Sequence, residues 1–119
     1  MLTADASYAE MRHHRVLARV YARNAATLGR WFPDLGDLLA YGIGSSDIGN
    51  VSQVVPSIHP AIGIESLPAV NHHREFTAHC MTAAAERGLV DGAVTLAWTA
   101  IDVSQDGALA ERLTRGDRG

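Results

Sequence analysis

From Thr77 to Val103 the apolar residues do not keep to one side of a helix. Ala83, Ala84, Leu89, Val90, Ala93, Leu96, Ala97, Ala100, Ile101 and Val103 recur at helical spacing but spread over more than one face. A helix of that kind has to be covered on more than one side, so some of its surface expects a partner. Gly88 and Gly92 each weaken it by about 1 kcal/mol relative to alanine, and mark either close packing by a neighbour or a bend. Asp106-Gly107 breaks the run, Ala108 to Thr114 reads as a short terminal helix, and Arg115 to Gly119 is expected to fray.

What precedes that helix has to supply the rest of the fold. The chain has 119 residues, room for a single domain. Ser7-Tyr8-Ala9-Glu10 has capping-box form and predicts a first helix over Tyr8 to Leu28, closed by Gly29 in a left-handed conformation. Met11, His14, Ala18, Tyr21, Ala22, Ala25 and Leu28 line one face of it, and Arg12, Arg15, Arg19 and Arg23 another. Arg30 to Asp37 reads as a loop, Leu38 to Ile43 as a short strand, and Gly44 to Asn50 as a glycine-bearing loop with accessible amides. Val51 to Val55 is a short element stopped by Pro56. Ser57 to Glu65 alternates, with Ile58, Ile62 and Ile64 in one phase and His59, Ala61, Gly63 and Glu65 in the other, the period of a half-buried strand. Pro60 places that strand at a sheet edge or a bulge. Leu67 to Phe76 reads as a loop. The expectation is an α/β arrangement, a small sheet flanked by two long helices.

Composition removes several classes of function. The formal net charge is -3 and all ten basic residues are arginine, so no overall basic field exists to hold nucleic acid or an anionic membrane. No aromatic residues interleave with the arginine stripe of the first helix, which reads as a solvated surface. Cys80 is the single cysteine, which rules out an internal disulfide and a CxxC metal site. The start has no signal-peptide pattern, and no stretch reaches the ~18–20 apolar residues that span a bilayer. A cytoplasmic protein is the expectation.

Few side chains can carry chemistry. Of the six histidines, His13 and His14 read as core-edge or surface residues of the first helix and His59 as a hydrogen-bonding strand residue. His72-His73 is the pair of interest: neutral imidazole ligates zinc or manganese, but adjacent residues point apart, so one of them at most can serve a given ion. No HExxH and no paired cysteines accompany it. Gly44-Ser45-Ser46-Asp47-Ile48-Gly49-Asn50 is neither a Walker loop, lacking lysine, nor a dinucleotide fingerprint, nor a G-x-S-x-G elbow. It reads as an anion or carboxylate cradle, with Asp47 a turn-former.

Taken together, GSSDIGNVS (44–52), VVPSIHP (54–60) and Asn71-His72 with Phe76 four residues beyond the histidine resemble the C-terminal portion of the catalytic domain of aminoacylase-like, co-catalytic metallopeptidases. The branch they resemble contains p-aminobenzoyl-glutamate hydrolase and the M-twenty-domain dipeptidases. Tyr8, Glu10 and Arg12 upstream, and Leu96, Ala97, Ala100 and Asp102 downstream, also fit, so the resemblance covers most of the chain. It implies an α/β catalytic domain interrupted by a dimerisation domain, and two divalent ions, zinc or manganese, that activate a water against an amide carbonyl. It assigns His72 as the last metal ligand and places Gly44, Ser45, Ser46, Asp47 and Asn50 near the substrate, Asp47 and Asn50 for contact or orientation.

The family's other ligands and its glutamate base lie in a GHxCGHD-like stretch and an acidic pair, and neither occurs here. Residues 1–119 are therefore expected to be the C-terminal segment of such a domain, without its N-terminal half and dimerisation domain. The expected function is hydrolysis of an N-acyl-amino-acid or dipeptide-like amide with a free carboxylate, active only with a complementary N-terminal chain. The alternative is a non-catalytic remnant that binds a partner.

Overall fold

The computed structural model describes residues 9–32 and 47–115. The expected strand 38–43, the loop residues Gly44, Ser45 and Ser46, and Ser7 of the expected capping box lie outside them. Among the described residues four α-helices follow in chain order: α1 (Arg15–Thr27), α2 (Ile48–Val54), α3 (Ala83–Gln105) and α4 (Gly107–Thr114), with a 3-10 helix, Arg74–His79, ahead of α3.

The α/β expectation is overturned. Among the described residues there is no strand, and the β-type pairing is one isolated parallel bridge between His13 and Ser57. The reason lies in what a strand needs. Alternation fixes which side chains face the core, but a ladder needs a neighbouring backbone to take the amides and carbonyls. Among the described residues the 57–65 segment has the alternation but no such neighbour beyond the bridge at Ser57. Its isoleucines still turn inward: Ile58 packs on the Ala18, Tyr21 and Ala25 cluster of α1, and Ile62 and Ile64 lie against Gly92 and Gly88 of α3.

The first helix is shorter than its periodicity predicts. It begins at Arg15 because His14 caps it, the His14 Nδ1 accepting from the Leu17 N–H at 3.4 Å. Residues 9–14 are not helical, so the expected start at Tyr8 with a Glu10 capping box is corrected. At the other end Gly29 takes φ 79°, the left-handed closure that glycine allows. Arg15, Arg19 and Arg23 are exposed, as a solvated stripe should be.

α1 lies between the other elements. Val16 and Val20 pack against Leu109 and Leu113 of α4, while Ala18, Tyr21 and Ala25 take Phe32 and Ile58. Burial raises the Tyr21 hydroxyl above its ordinary range, with the neighbouring Arg30 acting in the opposite sense. α3 crosses α1 on its small and polar side: Ala85, Gly88, Gly92, Thr95 and Thr99 are the buried positions. The Thr95 and Thr99 hydroxyls donate to the carbonyls one turn back, at 2.6 and 2.7 Å. Asn24 Nδ2 donates to Asp102 Oδ2 at 2.9 Å and to Thr99 Oγ1 at 3.3 Å. The apolar side of α3 faces outward, with Leu89 at 74%, Val90 at 58%, Leu96 at 51% and Ile101 at 48% exposure. The helix is amphipathic the wrong way round for a chain that stands alone.

Candidate functional site

α2 carries the described part of the glycine-rich motif, and its polar side chains are turned to the segment before α1. Asn50 Oδ1 accepts from the Ala9 N–H at 2.7 Å, and Ser52 Oγ accepts from the Arg12 N–H at 2.9 Å. Gln53 Nε2 donates to the Glu10 carbonyl at 2.6 Å, and the His14 N–H donates to the Ser57 carbonyl at 2.8 Å. Ser52 is fully buried and its hydroxyl donates to the Gly49 carbonyl at 2.6 Å. Gly49 has to be glycine, since a Cβ there would run into the Ala9 carbonyl. Sequence reasoning assigned Asn50 to substrate and overlooked Ser52 and Gln53. The signal available was three amide or hydroxyl side chains on a single short helix. Asp47 is exposed at the start of α2, with its carbonyl accepting from the Asn50 and Val51 amides and its carboxylate making no capping bond.

His72, the expected metal ligand, is exposed on a turn between Asn71 and His73, with φ 66°. A left-handed conformation is uncommon for a residue with a Cβ and stores local strain. Beside this turn lies a cavity of ≈ 530 Å³ whose walls are residues 61–67, Ala69, Val70, Asn71 and Phe76. Phe76, four residues past the histidine on the 3-10 helix, closes one side. α2 contributes no wall to it, so the described residues do not bring Asp47 and Asn50 to the same cavity as the His72 turn.

One wall of the cavity is fastened to the helices by Arg30, a contact the sequence did not announce. Its Nε donates to Asp91 Oδ2 at 2.8 Å and its Nη1 to the Gly63 carbonyl at 2.8 Å. The pair is only partly exposed on both sides, which favours a charge-assisted bond over a solvated one. Gly88 completes the contact by letting Gly63 and Ile64 lie directly on α3.

A second group of imidazoles gathers where residues 9–14 meet the 57–60 segment. Both ring nitrogens of His13 and the Nε2 of His14 are buried without a hydrogen-bond partner. Burial, and after it the nearby His59, lowers the His13 pKa below its ordinary value.

Among the described residues no three of His, Cys, Asp and Glu come together as a metal site. A single exposed imidazole at residue 72 does not fit a two-ion centre, so the residues described here would not hold one. No helix among them is long and apolar enough to cross a membrane.

The Xaa-Arg dipeptidase of Mus musculus is 38% identical over 98 residues, covering 82% of this chain and 22% of the relative. The Xaa-Arg dipeptidase of Homo sapiens is 36% identical over 96 residues, covering 81% of this chain and 22% of the relative. The chain is a relative of peptidases. It spans 22% of the length of each of these curated relatives. The relationship bears out the peptidase part of the resemblance and does not extend to the p-aminobenzoyl-glutamate hydrolase branch. No family model and no solved structure matches.

Proposed function

We propose that this chain is one part of a metal-dependent amidohydrolase that cleaves a dipeptide-like amide with a free carboxylate, and that it works only when a complementary N-terminal chain completes it. The observation that carries this reading is the 38% identity with the Xaa-Arg dipeptidase of Mus musculus over 82% of the chain. In this reading His72 offers one imidazole to a zinc or manganese centre whose other ligands, and whose general base, come from the complement. In it the 44–50 motif lies near the substrate, with Asp47 and Asn50 there for contact or orientation. The outward apolar side of α3 supports the need for a complement. Leu89, Val90, Leu96 and Ile101 expose surface whose burial stabilises at roughly 25 cal/mol per Å².

A second reading, a partner-binding remnant without catalysis, draws on the same apolar face and on the absence of a gathered ligand set among the described residues. The two separate in one assay. The chain is mixed with the N-terminal portion of an Xaa-Arg dipeptidase, and hydrolysis of an Xaa-Arg dipeptide is followed with zinc or manganese present. The amidohydrolase reading expects no turnover by either part alone, turnover by the mixture, and its loss in His72→Ala. A complex that forms but stays inactive supports the remnant, and turnover by this chain alone overturns both.

A further inference from the structure

The cavity beside the His72 turn combines two kinds of surface. Ile62, Ile64, Leu67, Val70 and Phe76 give it apolar walls, and Glu65 sets a carboxylate among them. Its ≈ 530 Å³ is the size of a small-ligand pocket, and a mainly apolar lining with a few placed polar groups is the usual make-up of one. Leu67 and Val70 are open to solvent, at 74% and 40% exposure, so an occupant with an apolar body gains by covering them.

The backbone marks the same place. Glu65 has φ 59° and His72 φ 66°, the two positive values among the described residues other than glycine. Both adjoin this cavity: Glu65 belongs to its wall, and His72 follows the wall residue Asn71. Conformations of this kind gather at binding sites, where the surrounding fold holds a side chain in a place its own backbone disfavours.

The charges nearby decide what Glu65 can take. Arg87 Nη2 lies 3.9 Å from Glu65 Oε2, and the two side chains are 61% and 78% exposed. That separation is longer than a hydrogen bond, and an ion pair so open to water is weak. Arg30 reaches the wall from behind, on the Gly63 carbonyl, and its charge is answered by Asp91 at 2.8 Å. Glu65 is therefore the charge that the described walls present to a ligand. A carboxylate set among apolar side chains suits a cation at the end of an aliphatic stem, with the stem on the walls and the head on the carboxylate. It repels an acidic side chain.

We propose that this cavity is a substrate side-chain subsite and that Glu65 sets its specificity, for a residue whose side chain is an alkyl stem ending in a guanidinium or ammonium group. The role as a substrate subsite rests on the amidohydrolase reading; the ligand chemistry rests on the cavity alone. The free carboxylate of such a substrate stays outside, since Glu65 repels it.

The test uses the ¹⁵N-labelled full chain without a complement, titrated with butylguanidinium and with butylurea, which has the same stem and a neutral head of similar shape. Both probes shift the amides of residues 61–67 and 69–71 and of Phe76. Butylguanidinium binds about fivefold more tightly, the ratio that an ion pair at a partly open site supports. Glu65→Gln removes that preference and leaves butylurea binding unchanged. Arg87→Ala removes a competing cation and enlarges the preference, so the two variants move it in opposite directions and a folding fault in one cannot imitate the pair. Equal affinity for the two probes, a preference that survives Glu65→Gln, or shifts confined to residues outside the cavity overturns the proposal. Turnover by the two-part mixture does not enter these readings. An inactive mixture counts against the amidohydrolase reading, and failed discrimination between the probes counts against the cation subsite.

Discussion

Gly88 and Gly92 occupy the same buried side of α3, one turn apart, yet they answer differently to an added methyl group. At Gly88 a Cβ would lie 2.9 Å from Ile64 Cγ2 and 3.2 Å from the Gly63 carbonyl oxygen. The first atom belongs to a branched side chain and the second to backbone fastened by Arg30, so neither gives easily. At Gly92 the nearest atoms are those of Ile62, at 3.6 and 3.7 Å, which is ordinary contact. Alanine gains about 1 kcal/mol over glycine inside a helix. Gly92→Ala is therefore expected to raise stability by about 0.5–1 kcal/mol, and Gly88→Ala to lower it by about 1–2 kcal/mol. Urea denaturation of the two variants reads the opposite signs directly. His13 gives a residue-scale pH dependence. Its folded pKa lies below the ordinary 6.5, chiefly through burial. A group of that kind binds more protons when unfolded, so its contribution is fully present above 6.5 and is lost as pH falls below it. Replacing a buried ring whose nitrogens lack partners with a leucine removes that loss. His13→Leu is expected to gain stability over the wild type at pH 5 but not at pH 8, seen as a smaller drop in thermal midpoint between the two.

The long helix shows why element identity was easier to read than element orientation. Helical spacing from residue 83 to 103, the break at Asp106-Gly107 and the left-handed Gly29 are all local signals, and α3, α4 and the end of α1 follow them. Which side of α3 turns inward is not local. Asp91, Thr99 and Asp102 look like a solvent face in sequence, but they meet Arg30, Asn24 and Arg23 of the α1 region. The start of α1 misled for a related reason: residues 9–14 have helical periodicity, but Asn50, Ser52 and Gln53 reach across from α2 and claim their backbone groups. The candidate site divided the same way. The motif and the histidine were legible, while the Arg30 fastening of the cavity wall joins residues too distant in sequence to be seen together. Two substitutions on α3 test the orientation. Asp102→Ala removes the acceptor of Asn24 and is expected to cost about 1 kcal/mol in thermal or urea unfolding, with little of that from Arg23, which is 70% exposed. Leu89→Gln with Leu96→Gln is expected to change the stability of the chain by less than about 0.5 kcal/mol. The same pair weakens binding to an N-terminal complement at least tenfold by titration calorimetry. Equal loss of stability in both variants would show that the apolar side is the one that packs.

At the scale of the whole molecule, the 57–65 segment shows how the described residues pack without a sheet. Its isoleucines already rest on α1 and α3, so one row of the alternation is satisfied within this chain. Its backbone is not, since the described ladder consists of the single His13–Ser57 bridge. Backbone donors left without protein partners are tolerated while water reaches them, but they cannot be buried that way. The outward apolar side of α3 is the surface a complementary chain would cover, and nothing in that contact requires the 57–65 backbone to pair. In hydrogen exchange, amides between residues 57 and 65 are therefore expected to exchange freely in the chain alone, and a complement that covers α3 leaves them so. Protection appearing at these amides on complex formation would mean that the partner takes up the 57–65 backbone as well as the apolar side of α3.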